Sequence, residues 1–567
     1  MSEIDKNLAS ARPSSDARFA EKVRRLIQPE ALKLTKPWMW SPGIGTDVWQ
    51  MFCACITGDL ETVMELIARD PSLVRCHYEY RTPLSFAVRE NQLAVAEYLL
   101  DRGALAVGLG DILGMARDRE YTEMVALIER KAAALHNASE KGEPVAAAIR
   151  NRARKQVRRL LDEAPELVHT GDRGSSQPIH WAVMVRQLDI IDELLARGAD
   201  INARRIDGAR PIQLTNGDYT YRGWRDVPPD VTATPDDVYQ HLVARGAEVD
   251  LGMAAAKGDI QRVQELLARD PGLANRVSDY NSYYIGCGAP LKNAAAGGNI
   301  EIVKLLLAHG ADPNLPEEGI APQGHALYSA VYNGHYDIAK LLLEHGAYPN
   351  PKVESSAEAV WIAIGRGDHR MLELLASNGA VWTIPNRLPA DLTYADLVGM
   401  GLRRTLEVLA YYGDIDTAAP LLESDPRLAN ERALVAAASN DHADFVRLLL
   451  RYQSNLPSRV VLSKPREMAE YLFEHGMDPN RPNWVRRTPL HDFASSGDLE
   501  SAALYLDHGA DLHARDEELC STPLGHAAMN GQLRMVEFLV RRGAKLTLAD
   551  DPVWATPLAW AQKRAHQ

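Results

Sequence analysis

A chain of 567 residues is too long for one hydrophobic core, which stops growing at about 250–300 residues, so it holds several domains or an array whose core extends unit by unit. Hydrophobic residues at 46% and charged residues at 25% describe a folded, soluble protein, and the net charge of −13 argues against nucleic acid or an anionic membrane as the main partner, since both need a basic face. Five cysteines without a CxxC pair make a disulfide framework or zinc site unexpected and suit a reducing, cytoplasmic setting.

Residues 1–45 carry no apolar run of the kind a signal peptide needs; a short helix is expected over Phe19–Ile27, with Trp38 and Trp40 capping whatever follows. No stretch reaches the roughly 18 apolar residues of a membrane span. From about Trp49 onward the chain repeats itself. Gly58–Arg75 (GDLETVMELIARDPSLVR) aligns with Gly258–Asn275 and Gly413–Asn430. Leu291–Asn314 (LKNAAAGGNIEIVKLLLAHGADPN) superimposes on Leu327–Asn350 at an offset of 36 residues, and Thr488–Asp511 (TPLHDFASSGDLESAALYLDHGAD) on Thr522–Lys545 at 34. Thr82–Ala104 and Gln177–Asp200 carry the same pattern.

Each unit reads as two short helices. The Thr of Thr-Pro-Leu caps the first and its Pro fits the first turn. A glycine such as Gly298, Gly334, Gly497 or Gly531 ends that helix in the left-handed region. The second helix places Ile300, Val303, Leu306 and Leu307 at helical spacing on one face. Neither helix is long enough to stand alone, so stacking must bury the apolar faces, with Ala295, Leu306, Leu307, Ala330, Leu341, Leu342, Ala494 and Leu539 in the core.

The strings TPLHDFA, TPLGHAA, GNIEIVKLLLAHGADPN and GQLRMVEFLVRRGAK resemble the ankyrin repeat. The resemblance implies an all-α helix-turn-helix solenoid of roughly 14–15 stacked units with an N-terminal cap. It also implies a non-enzymatic protein that binds a protein or peptide partner on its concave face and projecting fingers. The expected organisation is a cap at 1–45, a repeat array at 46–380, a long connection at 381–402 and a second repeat stretch at 403–567.

The array departs from its pattern in three places. A loop at about 215–234 holds Tyr219, Tyr221, Arg222, Trp224 and Arg225; the following fingers hold Tyr280, Tyr283 and Tyr284, then Glu317, Glu318 and His325. All of these but Glu318 are candidate ligand contacts, because rings and arginines on exposed connections anchor binding sites. Two readings stay open: the rings pack on one another, or they form a pocket for a peptide or small polar ligand, which would make the protein a small-molecule receptor or an atypical enzyme. The other departures are Ala380–Leu402 and the Lys464-Pro465 interruption. A basic run, Arg150, Arg152, Arg154, Lys155, Arg158 and Arg159, reads as a solvated helix face.

No catalytic signature accompanies the repeats. HExxH, GxGxxG, the phosphate-binding loop and GxSxG are all absent, so no metal, cofactor or catalytic residue is assigned. His491 and His526 are expected to brace their turns; His309, His345, His475 and His508 sit at second-helix ends, where the helix dipole favours them. Cys287 and His325 lie one finger apart, which by itself gives neither the activating base nor the lowered pKa a thiol nucleophile requires.

Overall fold

The structure is a computed structural model that describes residues 22–38, 41–104, 112–218, 221, 223, 225, 227–278, 280, 286–315, 326–350, 358–382, 392–452, 456 and 466–564. It divides into two compact units. The first comprises Met1–Ser15, Ala31–Arg117 and Tyr121–Leu374; the second comprises Asp16–Glu30, Asp118–Glu120 and Leu375–Gln567. Both are stacks of short antiparallel helix pairs.

In the first unit the pairs run from Gly45–Thr57 with Leu60–Arg69 onward, and include Glu143–Arg150 with Arg154–Glu163, Pro178–Met184 with Leu188–Ala196, and Pro290–Ala296 with Ile300–Ala308. In the second they include Leu406–Tyr412 with Ile415–Ser424, Glu431–Ser439 with Ala443–Tyr452, Pro489–Ser496 with Leu499–Asp507, and Pro523–Met529 with Leu533–Arg541. First helices of successive pairs pack together: Leu251–Lys257 on Pro290–Ala296, that helix on Ala326–Tyr332, and Pro489–Ser496 on Pro523–Met529.

The caps follow from sequence. Thr82 accepts from the backbone N–H of Ser85, whose hydroxyl oxygen in turn accepts from the Thr82 N–H. Thr234 and Asp237 form the same reciprocal pair and open Pro235–Val243, while Thr522 accepts from the Gly525 N–H alone. Gly298, Gly334, Gly497 and Gly531 end first helices with φ between 67° and 75°, the left-handed conformation only glycine adopts freely.

Two ladders of side-chain hydrogen bonds fix the stacking. The residue after each turn reaches back to the previous first helix: Gln92 to Ile56 O, Gln187 to Ile149 O, Asn299 to Ala255 O and Gln532 to Ser495 O. At the other end of the pairs, Asn275, Asn314 and Asn480 each donate to a glycine carbonyl of the next unit (Gly310, Gly346, Gly509). Each also accepts from the N–H two residues past that glycine (Asp312, Tyr348, Asp511). Buried backbone groups left unpaired are costly, so the repeating Gln/Asn residues satisfy groups that helix ends would otherwise orphan.

Ala295, Leu306, Ala330, Leu342, Ala494 and Leu539 are fully buried. Leu307 and Leu341, expected in the core, are only half-buried. In each run of three leucines the buried stripe takes one or two, and the flank faces outward.

Strand is confined, among the described residues, to two short pairs. Pro37–Trp38 pairs antiparallel with Ser41–Ile44, and Val381–Trp382 pairs parallel with Arg403–Arg404. The second pair is parallel and so is not a hairpin. It closes the connection at 381–402, where Trp382, Tyr394 and Tyr412 stack with centroids 4.5–5.8 Å apart. Arg404 and the Tyr394 hydroxyl both donate to Asp414, at 2.8 and 2.6 Å. Phe19, Trp40 and Lys464-Pro465 lie outside the described residues; Trp38 is in a strand.

Candidate functional site

The irregular loop at 215–234 connects a first helix, Pro211–Asn216, to its second helix, Pro235–Val243, whereas the fingers join one pair to the next. It is therefore an insertion within one helix pair and not a finger. The chain still brings them together. Asp218, at the start of the loop, is fully buried and pairs with Arg205 of the preceding finger. Arg205 also pairs with Asp207 at 2.7 Å and lies 6.0 Å from the Tyr280 ring centroid. Burial alone would lower the Arg205 pKa; the Asp207 and Asp218 carboxylates outweigh it and hold the guanidinium charged.

Of the ten candidate contacts, Tyr221, Arg225 and Tyr280 are described. Tyr219, Arg222, Trp224, Tyr283, Tyr284, Glu317 and His325 lie outside the described residues. Tyr280 is 3% exposed and belongs to the core around Val238, Met253 and Cys287, so the expected exposed ring is a buried one. Its neighbour Arg205 needs a polarisable wall, which a tyrosine face supplies. Arg225 is exposed.

Tyr221 is half-buried and meets Trp181 edge to face, with centroids 4.9 Å apart. Its N–H donates to Asp218 Oδ1 at 2.6 Å, which seats the loop on the first-helix face. Arg150, the last residue of the preceding first helix, lies over the other part of Trp181 at 4.4 Å from a ring centroid. The Trp181 indole N–H donates to Asp172 at 2.7 Å. Burial pushes the Asp172 carboxyl up from its ordinary value, against the pull of that bond and of the Ser176 and Gly174 N–H groups. Two successive first helices and the loop that follows the next one thus form one arginine–aromatic cluster, and sequence reasoning proposed only Tyr221 of it as a ligand contact. The signal available was the Trp of PIHWAVM, at the position that holds Phe86, Asn293 and Asp492 in other repeats.

His180 of the same helix is fully buried. Its Nδ1 accepts from the Gln177 N–H at 3.1 Å and its Nε2 donates to Ala203 O at 3.0 Å. Burial, reinforced by the Arg205 charge, pushes its pKa down to about 4. His491 plays the same part in the second unit. Nδ1 accepts from the Thr488 N–H and hydroxyl, Nε2 donates to Ser521 O, and burial pushes the ring to about 3. His309, His345 and His475 each donate from Nδ1 to the carbonyl four residues back.

His491, Asp516 and His526 present ligand-type atoms within 4.8 Å of one another, a grouping the sequence did not suggest. His526 Nε2 is 2.9 Å from Asp516, and its Nδ1 is 3.2 Å from Ser495 Oγ. Every ring nitrogen of the group is therefore engaged by protein, which fits a brace between repeats better than a metal centre. Ser495 stands in the order of a Ser-His-Asp relay, yet its hydroxyl donates to His491 O at 2.9 Å and receives Arg487 Nη2 at 3.0 Å. Burial likewise raises the Cys53 thiol to about 11 and Cys55 further, away from thiolate character, and Cys287 is fully buried.

Two concavities lie among the described residues. One, of about 270 Å³ in the first unit, is lined by Arg204, Arg210, Gln213, Asp250, Arg276 and Ser278. Its lining carries three arginines. The other, about 740 Å³ in the second unit, opens along the first helices at Glu407, Tyr411, Asn430, Glu431, Val435 and Ser439.

Stacked helix pairs with capped first helices, glycine-ended turns and asparagine ladders define a repeat-scaffold binding protein. Ankyrin-repeat family models match residues 79–109, 177–206, 251–353 and 490–540, and the chain belongs to the ankyrin-repeat proteins. Such repeats indicate a role in protein–protein interaction. A 61-residue stretch is 44% identical to the 2-5A-dependent ribonuclease of Mus musculus, covering 11% of this chain and only 8% of that relative. Among the described residues, no helix is long and apolar enough to cross a membrane.

Proposed function

We propose that the protein docks a protein or peptide partner along the face formed by its first helices, the concave face of the solenoid, with the fingers at its edge. The observation that carries this reading is the open groove of about 740 Å³ along Leu406–Tyr412 and Glu431–Ser439. Its Tyr411 and Val435 are half-buried and offer apolar surface, and Glu407 and Glu431 give it a polar rim, the anatomy of an interface. An open groove admits a polypeptide where an enzyme needs a closed, water-excluding pocket.

The test is affinity capture of partners with the wild type and with Tyr411→Ala and Val435→Asp. Loss of the same partners from both variants, with unchanged melting, supports the reading. Partners retained by both variants would refute it.

A second reading rests on the smaller cavity. Arg210 at its wall is buried and paired with Glu248 and Asp250, and Gln213 and Ser278 donate to the same Asp250 carboxylate. Such convergent polar groups suit a small polar ligand of the cytoplasm. A metabolite thermal-shift panel in which Arg210→Ala abolishes a hit found for the wild type would favour it; a panel without hits would remove it.

A further inference from the structure

The left-handed position that ends each first helix is glycine in most repeats, as at Gly58, Gly258, Gly298, Gly334, Gly413 and Gly497. In the two successive repeats that carry the Trp181 cluster it is arginine: Arg152 at φ 56° and Arg186 at φ 54°. An L-residue is strained there, and the glycine-ended turns of other repeats form without a cationic side chain. The second-helix arginines close by are neutralised: Arg154 pairs with Asp189, Arg158 with Glu193, and Arg197 with Asp162. The turn arginines are not. Arg152 donates to a backbone carbonyl, Val185 O, at 2.5 Å. Arg186, half-buried, has no ion-pair partner among the described residues and faces the Arg152 charge, which together with burial lowers its pKa. Arg150 adds a third guanidinium over the Trp181 ring, with Glu143 no closer than 3.9 Å.

We propose that Arg150, Arg152 and Arg186, with Trp181 and Tyr221 beside them, form a recognition site for an acidic segment of a polypeptide. The inference rests on the docking reading above and names the chemistry of the partner. Carboxylates of the segment relieve the repulsion between the arginines, since a guanidinium fork accepts one carboxylate in two-point contact. The half-buried Tyr221 ring, braced edge to face by the buried Trp181, supplies apolar wall for the side chains between the acids. A protein segment fits better than nucleic acid. Three guanidiniums match one or two carboxylates, whereas a phosphate backbone needs a long basic track, and the chain as a whole carries −13.

The probe is a fluorescein-labelled hexaglutamate peptide, titrated by anisotropy into the full chain. The wild type should bind it, and added salt should weaken binding steeply. Arg186→Gly, which places the residue the backbone prefers and so keeps the fold, should weaken it at least tenfold, as should Arg152→Gly. Arg541→Gln, which breaks the exposed second-helix pair with Glu537, should leave it unchanged. No binding by the wild type, equal binding by Arg186→Gly, or tighter binding of a labelled oligothymidylate than of hexaglutamate each overturns the proposal. If hexaglutamate fails while captured partners still depend on Tyr411 and Val435, only this inference falls; if those partners ignore both positions, the docking reading falls.

Discussion

His180 makes the first unit acid-sensitive. Its ring must stay neutral, because Nδ1 accepts a backbone N–H and protonation would set one donor against another. The folded pKa is about 4, against 6.5 for the solvent-exposed ring of the unfolded chain, so the unfolded chain takes up a proton that the folded chain refuses. Stability is therefore complete above about pH 6.5 and declines as pH falls toward the folded value. At pH 5 the difference amounts to about 2 kcal/mol from this one ring. Gln at the same capping position is already used by the protein, where Gln213 Oε1 accepts from the Arg210 N–H at 2.9 Å. His180→Gln should thus keep the cap and remove the proton linkage. Urea denaturation of both proteins at about pH 7.5 and about pH 5, followed by circular dichroism, measures the double difference. The wild type should lose about 2 kcal/mol more than His180→Gln between the two pH values. An identical loss in both would refute the claim that the buried neutral ring drives the acid sensitivity.

Other consequences are as direct. Leu306→Ala and Leu342→Ala should each cost about 2–5 kcal/mol in denaturation experiments, while half-buried Leu307→Ala should cost clearly less; equal costs would contradict the packing register. Asn314→Ala removes two hydrogen bonds between repeats and should destabilise by about 1–3 kcal/mol, read by thermal melting. Tyr280→Ala should lower the melting temperature strongly and Tyr280→Phe little, since the ring serves the core; the reverse order would return Tyr280 to the list of ligand contacts.

The repeat was legible because it is written in residue types with single conformational uses: glycine at a positive-φ turn, threonine before proline at a helix start, alanine where first helices touch. The ladders were half legible. The Asn after Gly-Ala-Asp-Pro was visible as a pattern, but its partner, a glycine carbonyl of the next repeat, depends on stacking that no local string encodes. The same holds for His491, Asp516 and His526, which the fold brings together from two repeats and the finger between them. Tyrosine gave the least information, since its type suits a binding surface and a core equally: Tyr221 lies at the first-helix face and Tyr280 inside. The arginine-ended turns went unread because a basic run looks the same whether its charges are paired, as for Arg158, or left facing each other, as for Arg152 and Arg186.

The central claim is that the first-helix face is where a partner sits. Hydrogen–deuterium exchange of the full chain, with and without a partner recovered by capture, tests it most directly. The account predicts added protection over Glu143–Arg150, Pro178–Met184, Leu406–Tyr412 or Glu431–Ser439 and their turns, with the second helices Arg154–Glu163, Leu188–Ala196 and Ala443–Tyr452 unchanged. Protection confined to those second helices would contradict it.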